Sequence, residues 1–168
     1  MMRKIGIALV VLGLSAVLAR FLVHTLAADE TKIRWAIADA AEGFGEARMD
    51  PVLDVLAHDF SDETSGFRRE DLRAALASAF FSMKDPKTKG FPYSCEILPD
   101  TFEIAVTTGE PDSATVSCTC RIVDTTGGEQ REAWSFRVEG RMEERDDGWC
   151  FVATTHETLV GSMRLRAR

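Results

Sequence analysis

Hydrophobic positions fall into three successive regimes along the chain. Residues 5–19 form an uncharged, mostly apolar run behind Met1, Met2, Arg3 and Lys4. From residue 29 to about 85 the apolar positions recur every three or four residues, which is the helical period. From residue 102 onward they alternate with polar ones, as in strands that bury one face.

The middle regime predicts three helices. Residues 29–47 carry Ile33, Ile37, Ala40, Phe44 and Ala47 at helical spacing. Asp50 as N-cap and Pro51 at the first helical position restart a helix that runs to His58, with Val52, Val55 and Leu56 on its apolar face. Residues 60–64 read as a short extended segment. Glu70 and Asp71 then open a third helix, acids in the first turn where the helix dipole favours them. Its stripe is Leu72, Leu76, Ala79, Phe80 and Met83, and it stops near Asp85 and Pro86. Phe80, Phe81 and Phe91 read as packing residues.

The last regime predicts four strands. Phe102, Ile104 and Val106 alternate in the first, and Val116, Cys118, Cys120 and Ile122 in the second. Trp134, Phe136, Val138 and Met142 mark the third, and Asp147-Gly148 turns the chain into a fourth over 149–159. Three helices followed by four consecutive strands are an α+β pattern, with the helices on one face of an antiparallel meander. The expected core sets Val116, Cys118, Phe136 and Val138 against Leu72, Leu76 and Phe80.

The N-terminal regime is a targeting segment, set apart from the fold. Residues 5–19 number 15, too few at ~1.5 Å each to cross a hydrocarbon core of ~30 Å. Arg20 interrupts, and residues 21–28 resume the apolar character. With Arg20 snorkelling to the headgroups, 5–28 spans the bilayer. The alternative is a cleaved signal cut after Ala19 or Ala27. The uncleaved anchor is preferred. Arg3 and Lys4 before the span, with Asp29 and Glu30 after it, place the domain outside the cytoplasm, periplasmic or extracellular, or secreted if the signal is cut. The organisation is then a membrane anchor or signal at 1–28, one domain at 29–160, and a basic tail at 161–168.

Charge narrows the partners. Without Arg3, Lys4 and Arg20 the chain has 17 basic against 27 acidic side chains. That balance opposes nucleic acid and anionic lipid surfaces as partners. Cys118 and Cys120 lie i,i+2 on a strand and fit a mutual disulfide poorly, and no cysteine or histidine spacing suits a metal. The four cysteines read as small buried apolar residues, and no cofactor is expected.

The order of elements, with Ile33-Arg-Trp-Ala-Ile37, Asp50-Pro-Val-Leu-Asp-Val-Leu-Ala-His-Asp-Phe60, Arg69-Glu-Asp-Leu-Arg-Ala-Ala-Leu76 and Asp147-Gly-Trp-Cys-Phe-Val152, resembles the nuclear transport factor 2-like superfamily, the cystatin-like α+β cone. The likeness covers residues 30–160. It implies a curved antiparallel sheet wrapped around the helices, a cavity between them, and in many members a homodimer through the sheet. Many bacterial members carry an export signal or anchor; others are isomerases, dehydratases or cyclases. The isomerase-like branch implies a tyrosine on the first helix, a carboxylate after the second, and an acid in the sheet. Here Tyr93 is the only tyrosine, the base position falls near Thr64 beside Glu63, and the inward strand positions lack an acid.

The catalytic candidates are therefore Glu63 and His156, the only acid–base pair available, and neither is assigned a catalytic role. Asp59 and Asp62 read as solvated acids of a connection. Trp35, Asp62, Cys118, Trp134 and His156 are the pocket candidates. The function expected is a non-catalytic, membrane-tethered domain that binds a small apolar ligand or a protein partner. The alternatives are a small lyase or isomerase acting in the cone, or a structural dimerisation module.

Overall fold

The computed structural model describes residues 27–85 and 87–161. The anchor or signal expected at 1–28 lies outside them except for Ala27 and Ala28, as does the basic tail beyond Gly161. Among the described residues no helix is long and apolar enough to cross a membrane. The element order is α1 (Asp29–Gly45), α2 (Met49–Asp54), β1 (Leu56–Asp62), α3 (Arg69–Ser82), β2 (Tyr93–Ile97), β3 (Glu103–Thr107), β4 (Ser113–Asp124), β5 (Arg131–Arg145) and β6 (Gly148–Gly161).

The fold is α+β, with three helices and one six-stranded sheet of order β1-β6-β5-β4-β2, in which β3 also pairs β4. The expected meander is present as β3-β4-β5-β6, all antiparallel. Two features correct the expectation. β1 pairs β6 in parallel, so the sheet is mixed. β2, which carries no clear alternation in sequence, lies end to end with β3 along the same edge of β4.

The helix boundaries shift for a related reason. α2 ends at Asp54 rather than His58, because residues from Leu56 onward pair with β6, beginning with Leu56 opposite Phe151. The extended segment expected at 60–64 is the second half of that longer strand. Arg48, not Asp50, is the residue before α2, and Asp50 sits inside its first turn. α3 starts where the acids predict, with the Asp71 carboxylate accepting the Arg68 N–H at 2.9 Å.

The core sits under the N-terminal half of α1. Ile33 and Ile37, one helical turn apart, pack with Val55, Phe60, Val116, Met142 and Phe151. Leu72 packs against the edge of this cluster. A Cβ at Gly140 would come within 2.7 Å of the Phe151 ring, so the strand crosses that ring only where it has no side chain. Irregularities in the β4–β5 and β5–β6 pairings mark the bends of the sheet. At the other end of the inner face a second aromatic group joins the layers: Phe91 meets Phe44 edge-on at 5.2 Å and Phe80 at 4.9 Å.

The expected core was partly misplaced. Val116 and Cys118 are buried, but Phe136 and Val138 are only half-buried, and on the inner face of β5 the buried positions are Gly140 and Met142. The facing is right, since Cys118 is opposite Val138 and Cys120 opposite Phe136. The core instead lies two rows along, where α1 covers the sheet. Met142→Ala is therefore expected to cost about 2–5 kcal/mol in chemical denaturation, and Phe136→Ala distinctly less. Equal losses would mean that the Phe136 end of the sheet is packed as tightly as the core.

Candidate functional site

The chemistry-bearing residues meet where β1 ends against β6. Asp62 is the last residue of β1, opposite Thr154, and is buried. Its chain turns at once: Gly66 N–H donates to the Asp62 carbonyl at 2.8 Å, and Asp62 N–H donates to the Phe67 carbonyl at 2.7 Å. This turn brings Ser65 back onto the carboxylate. Ser65 N–H and Oγ–H both donate to Asp62 Oδ2, at 2.8 and 2.5 Å.

The other carboxylate oxygen faces β6. Asp62 Oδ1 accepts from Thr154 Oγ1 at 3.0 Å and lies 3.2 Å from His156 Nδ1. Burial alone would raise this carboxyl's pKa. The Ser65 hydroxyl and N–H, His156 and Thr154 together outweigh burial and hold it below the ordinary value. Asp62 is thus a carboxylate, and a carboxylate only accepts. The hydrogen facing Asp62 is therefore assigned to Nδ1, and in the neutral tautomer that this defines Nε2 is an acceptor. The His156 side chain remains 29% exposed.

Thr64 fixes the backbone of the same histidine. His156 N–H donates to Thr64 Oγ1 at 2.9 Å, and that hydroxyl lies 3.3 Å from the His156 carbonyl, so one threonine side chain continues the β1–β6 ladder past the end of β1. The imidazole is held on both sides, by its own main chain and by Asp62.

Register gives the ring its neighbours. On the inner face His156 is opposite Val138, and Val138 is opposite Cys118. Two residues along, Thr158, Phe136 and Cys120 form the next row. The Trp134 and Phe136 rings pack at 4.1 Å, and Trp134 Nε1–H donates to Thr158 Oγ1 at 3.3 Å. Cys118 and Cys120 lie with their Sγ atoms 3.9 Å apart and are not bonded. The contact with Cys120 and burial push the Cys118 thiol up. For Cys120 the contact with Cys118 acts downward, but Cys95 and burial win and carry it up to about 12. Both are neutral thiols and behave as apolar wall, not nucleophiles. Among the described residues no group of His, Cys, Asp and Glu side chains could hold a metal ion.

Of the sequence candidates, Asp62, His156, Trp134 and Cys118 share this inner face. Glu63 does not join them. Its side chain is exposed and only its N–H is used, donating to the Thr154 carbonyl at 2.7 Å. The acid partner of His156 is Asp62, one residue earlier, because alternation along β1 turns Asp62 inward and Glu63 outward. The reading of Asp59 as a solvated acid needs a smaller change: it is exposed and paired with Arg145 at 2.7 Å. Trp35 lies elsewhere, in a cleft of about 610 Å³ between α1, α2 and the β5–β6 turn. Thr64, Ser65 and Thr154 were missed. An Asp followed three residues later by Ser-Gly is a turn signal that would have flagged the first part of the constellation.

The fold is that of the nuclear transport factor 2-like proteins with a cystatin-like fold. A protein of that description from Novosphingobium aromaticivorans superposes with a TM-score of 0.62 at 18% identity, over 89% of this chain and 92% of that one. A protein of unknown function with a cystatin-like fold from Nostoc punctiforme matches with a TM-score of 0.59 at 15% identity, over 78% and 91%. A candidate aromatic ring hydroxylase from Novosphingobium aromaticivorans matches with a TM-score of 0.58 at 18% identity, over 79% and 90%. No protein-family model matches the sequence, and no curated protein matches it significantly.

The lowered Asp62 carboxyl ties stability to acid. A depressed carboxyl contributes stability that is fully present well above its ordinary value of 3.8 and is lost as pH falls through the folded-state value. Asp62→Asn is expected to lower the melting temperature at neutral pH. The gap from wild type should close as pH drops below that ordinary value. A gap independent of pH would show that the side-chain shape, not the charge, matters.

Proposed function

We propose that the domain binds a small apolar ligand on the concave face of its sheet, with Nε2 of His156 as the one polar contact. The observation that carries this reading is the Asp62–His156 hydrogen bond of 3.2 Å at the margin of an apolar wall formed by Val138, Phe136, Trp134 and two neutral thiols. A fixed imidazole whose second nitrogen is left to accept selects a ligand with one hydrogen-bond donor, such as a hydroxyl, set against an apolar body.

The probe para-nitrophenol has both parts, and its colour reports loss of its proton. Wild-type protein is expected to bind it and His156→Ala to bind it about tenfold more weakly, as loss of a hydrogen bond to a fixed partner implies. Glu63→Gln should match wild type. Equal affinity in wild type and His156→Ala would remove the dyad from the binding site.

A second reading, a small lyase or isomerase, is favoured by the same dyad together with Thr158. That hydroxyl accepts the Trp134 N–H and keeps its own hydrogen to donate, two residues from His156 on the same face and so about 7 Å along the strand. Deuterium entry at the α-carbon of a cyclic enone in heavy water tests it. Exchange that is lost in both His156→Ala and Asp62→Asn, with folding intact, would promote this reading above simple binding.

We further propose that residues 1–28 tether the domain to a membrane with its C-terminal part outside the cytoplasm. The basic Arg3 and Lys4 before the apolar run and the acidic Asp29 and Glu30 after it support that orientation. Alkaline phosphatase fused after Arg168 is expected to be active in a bacterial host. An inactive enzyme, with a fluorescent green fluorescent protein fusion at the same point, would reverse the orientation.

A further inference from the structure

Binding through His156 uses one of two polar groups that the inner face offers to a ligand. Thr158 is the other. On β6 it lies two residues beyond His156, and the two stand opposite Phe136 and Val138 of β5. Thr158 Oγ1 accepts the Trp134 Nε1–H at 3.3 Å. An indole nitrogen only donates, so this contact takes an oxygen lone pair and leaves the hydroxyl hydrogen unused. No acceptor among the described residues takes that hydrogen. Trp134 is itself held by its stack on Phe136 at 4.1 Å, so the oxygen is placed by a rigid group. Thr158 is exposed, and its hydrogen is open to whatever lies over the wall.

The two groups are complementary. His156 Nε2 accepts and Thr158 Oγ–H donates, and their backbones are about 7 Å apart along the strand. Between them the floor is Val138 and Phe136, both half-buried and so with apolar surface left uncovered. On the other side of His156 the Thr154 hydroxyl already donates to Asp62 at 3.0 Å, so a second contact lies only in the direction of Trp134. A molecule that meets both groups must carry a donor at one end, an acceptor at the other and an apolar body between.

We propose that the inner face takes a hydroxy-carbonyl compound built on a single ring, its hydroxyl donating to His156 Nε2 and its carbonyl oxygen, across the ring, accepting from Thr158 Oγ–H. This rests on the reading of His156 as a ligand contact and adds a second contact to it. The two bonds fix the direction of the ligand: turned end for end, its carbonyl would face the Nε2 lone pair, acceptor against acceptor. They also select on shape. A ring that carries its two oxygens on adjacent carbons bonds them to each other and cannot span the row of Val138 and the row of Phe136. One polar group at each end of an apolar floor is how a small-molecule site sets orientation.

Calorimetric titration of the full chain at neutral pH tests this with two phenols of nearly equal shape, para-hydroxyacetophenone, which has the carbonyl, and para-ethylphenol, which lacks it. Thr158→Val keeps the shape of an exposed side chain and removes its hydroxyl, so the melting temperature should hold. It is expected to weaken para-hydroxyacetophenone about fivefold, as loss of one hydrogen bond implies, and to leave para-ethylphenol unchanged. Thr158→Ser restores the hydroxyl and should restore the affinity. The ortho isomer of hydroxyacetophenone should bind wild type severalfold more weakly than the para isomer. His156→Ala should weaken both para phenols. Loss of affinity for both phenols in His156→Ala, with para-hydroxyacetophenone indifferent to Thr158→Val, would overturn this inference and leave the His156 reading standing. Two phenols both indifferent to His156→Ala would overturn the two together. No saturable heat with para-hydroxyacetophenone, equal weakening of both phenols by Thr158→Val, or equal binding of the ortho and para isomers would also overturn it.

Discussion

Parallel pairing of β1 with β6 decides which side chains meet at the open end of the sheet. β1 comes after α2 and β6 is the last strand, so 92 residues separate Asp62 from Thr154, which accepts its place in the ladder directly opposite. A slip of one residue would turn Asp62 away from the inner face and bring Glu63 inward. The site is protected against that slip at several points. Phe60 is buried in the core two residues before Asp62, Glu63 N–H is held by the Thr154 carbonyl, and Thr64 Oγ1 takes the His156 N–H. The hydrophobic burial of Phe60 thus sets the register that the polar contacts then use.

Curvature is the second requirement. A flat sheet would lay His156, Val138 and Cys118 on an open plane. The irregular pairings on both sides of β5 bend the sheet, and Gly140 lets the Phe151 ring lie across the bend. Core and site consequently occupy different rows of the same strands. Ile33, Val116 and Met142 fill the rows under α1, while Cys118, Val138 and His156 occupy a row where burial falls off from strand to strand, with Cys118 buried and His156 partly exposed. The half-burial of Phe136 and Val138 is a consequence of that division.

Much of this was legible in the sequence because it rests on local periodicity. The helical stripe of α1, the acids that open α3 and the alternation in β3 to β6 each follow from the residues concerned. What escaped was non-local. β1 reads as the tail of a helix because Val52, Val55 and Leu56 have helical spacing, and only the pairing of Leu56 with Phe151 overrides it. The five residues of β2 are all half-buried, so no alternation betrays them. The partner of His156 was assigned to Glu63 for the same reason: its facing follows from a parallel register and from the irregular pairing between Arg141 and Met142, neither of which leaves a mark in sequence.

The electrostatics of the inner face set its chemical range. Cys118 is held neutral by its contact with Cys120 and by burial, and Cys120 by Cys95 and burial, so the wall beside His156 has neither charge nor nucleophile. Asp62 is charged, yet all its hydrogen-bonding capacity is turned inward, to Ser65, Thr154 and His156. What a ligand meets is the far nitrogen of one oriented imidazole set in apolar surroundings. Such a face can discriminate by a single hydrogen bond, because water is a poor competitor where the rest of the wall repels it. Among the described residues it shows no cation beside His156 that would stabilise an oxyanion, and of the two threonine hydroxyls flanking His156 on that face Thr154 already donates to Asp62, which leaves that of Thr158. Recognition requires only the imidazole and the wall, whereas turnover would make that single threonine carry the whole of the developing negative charge.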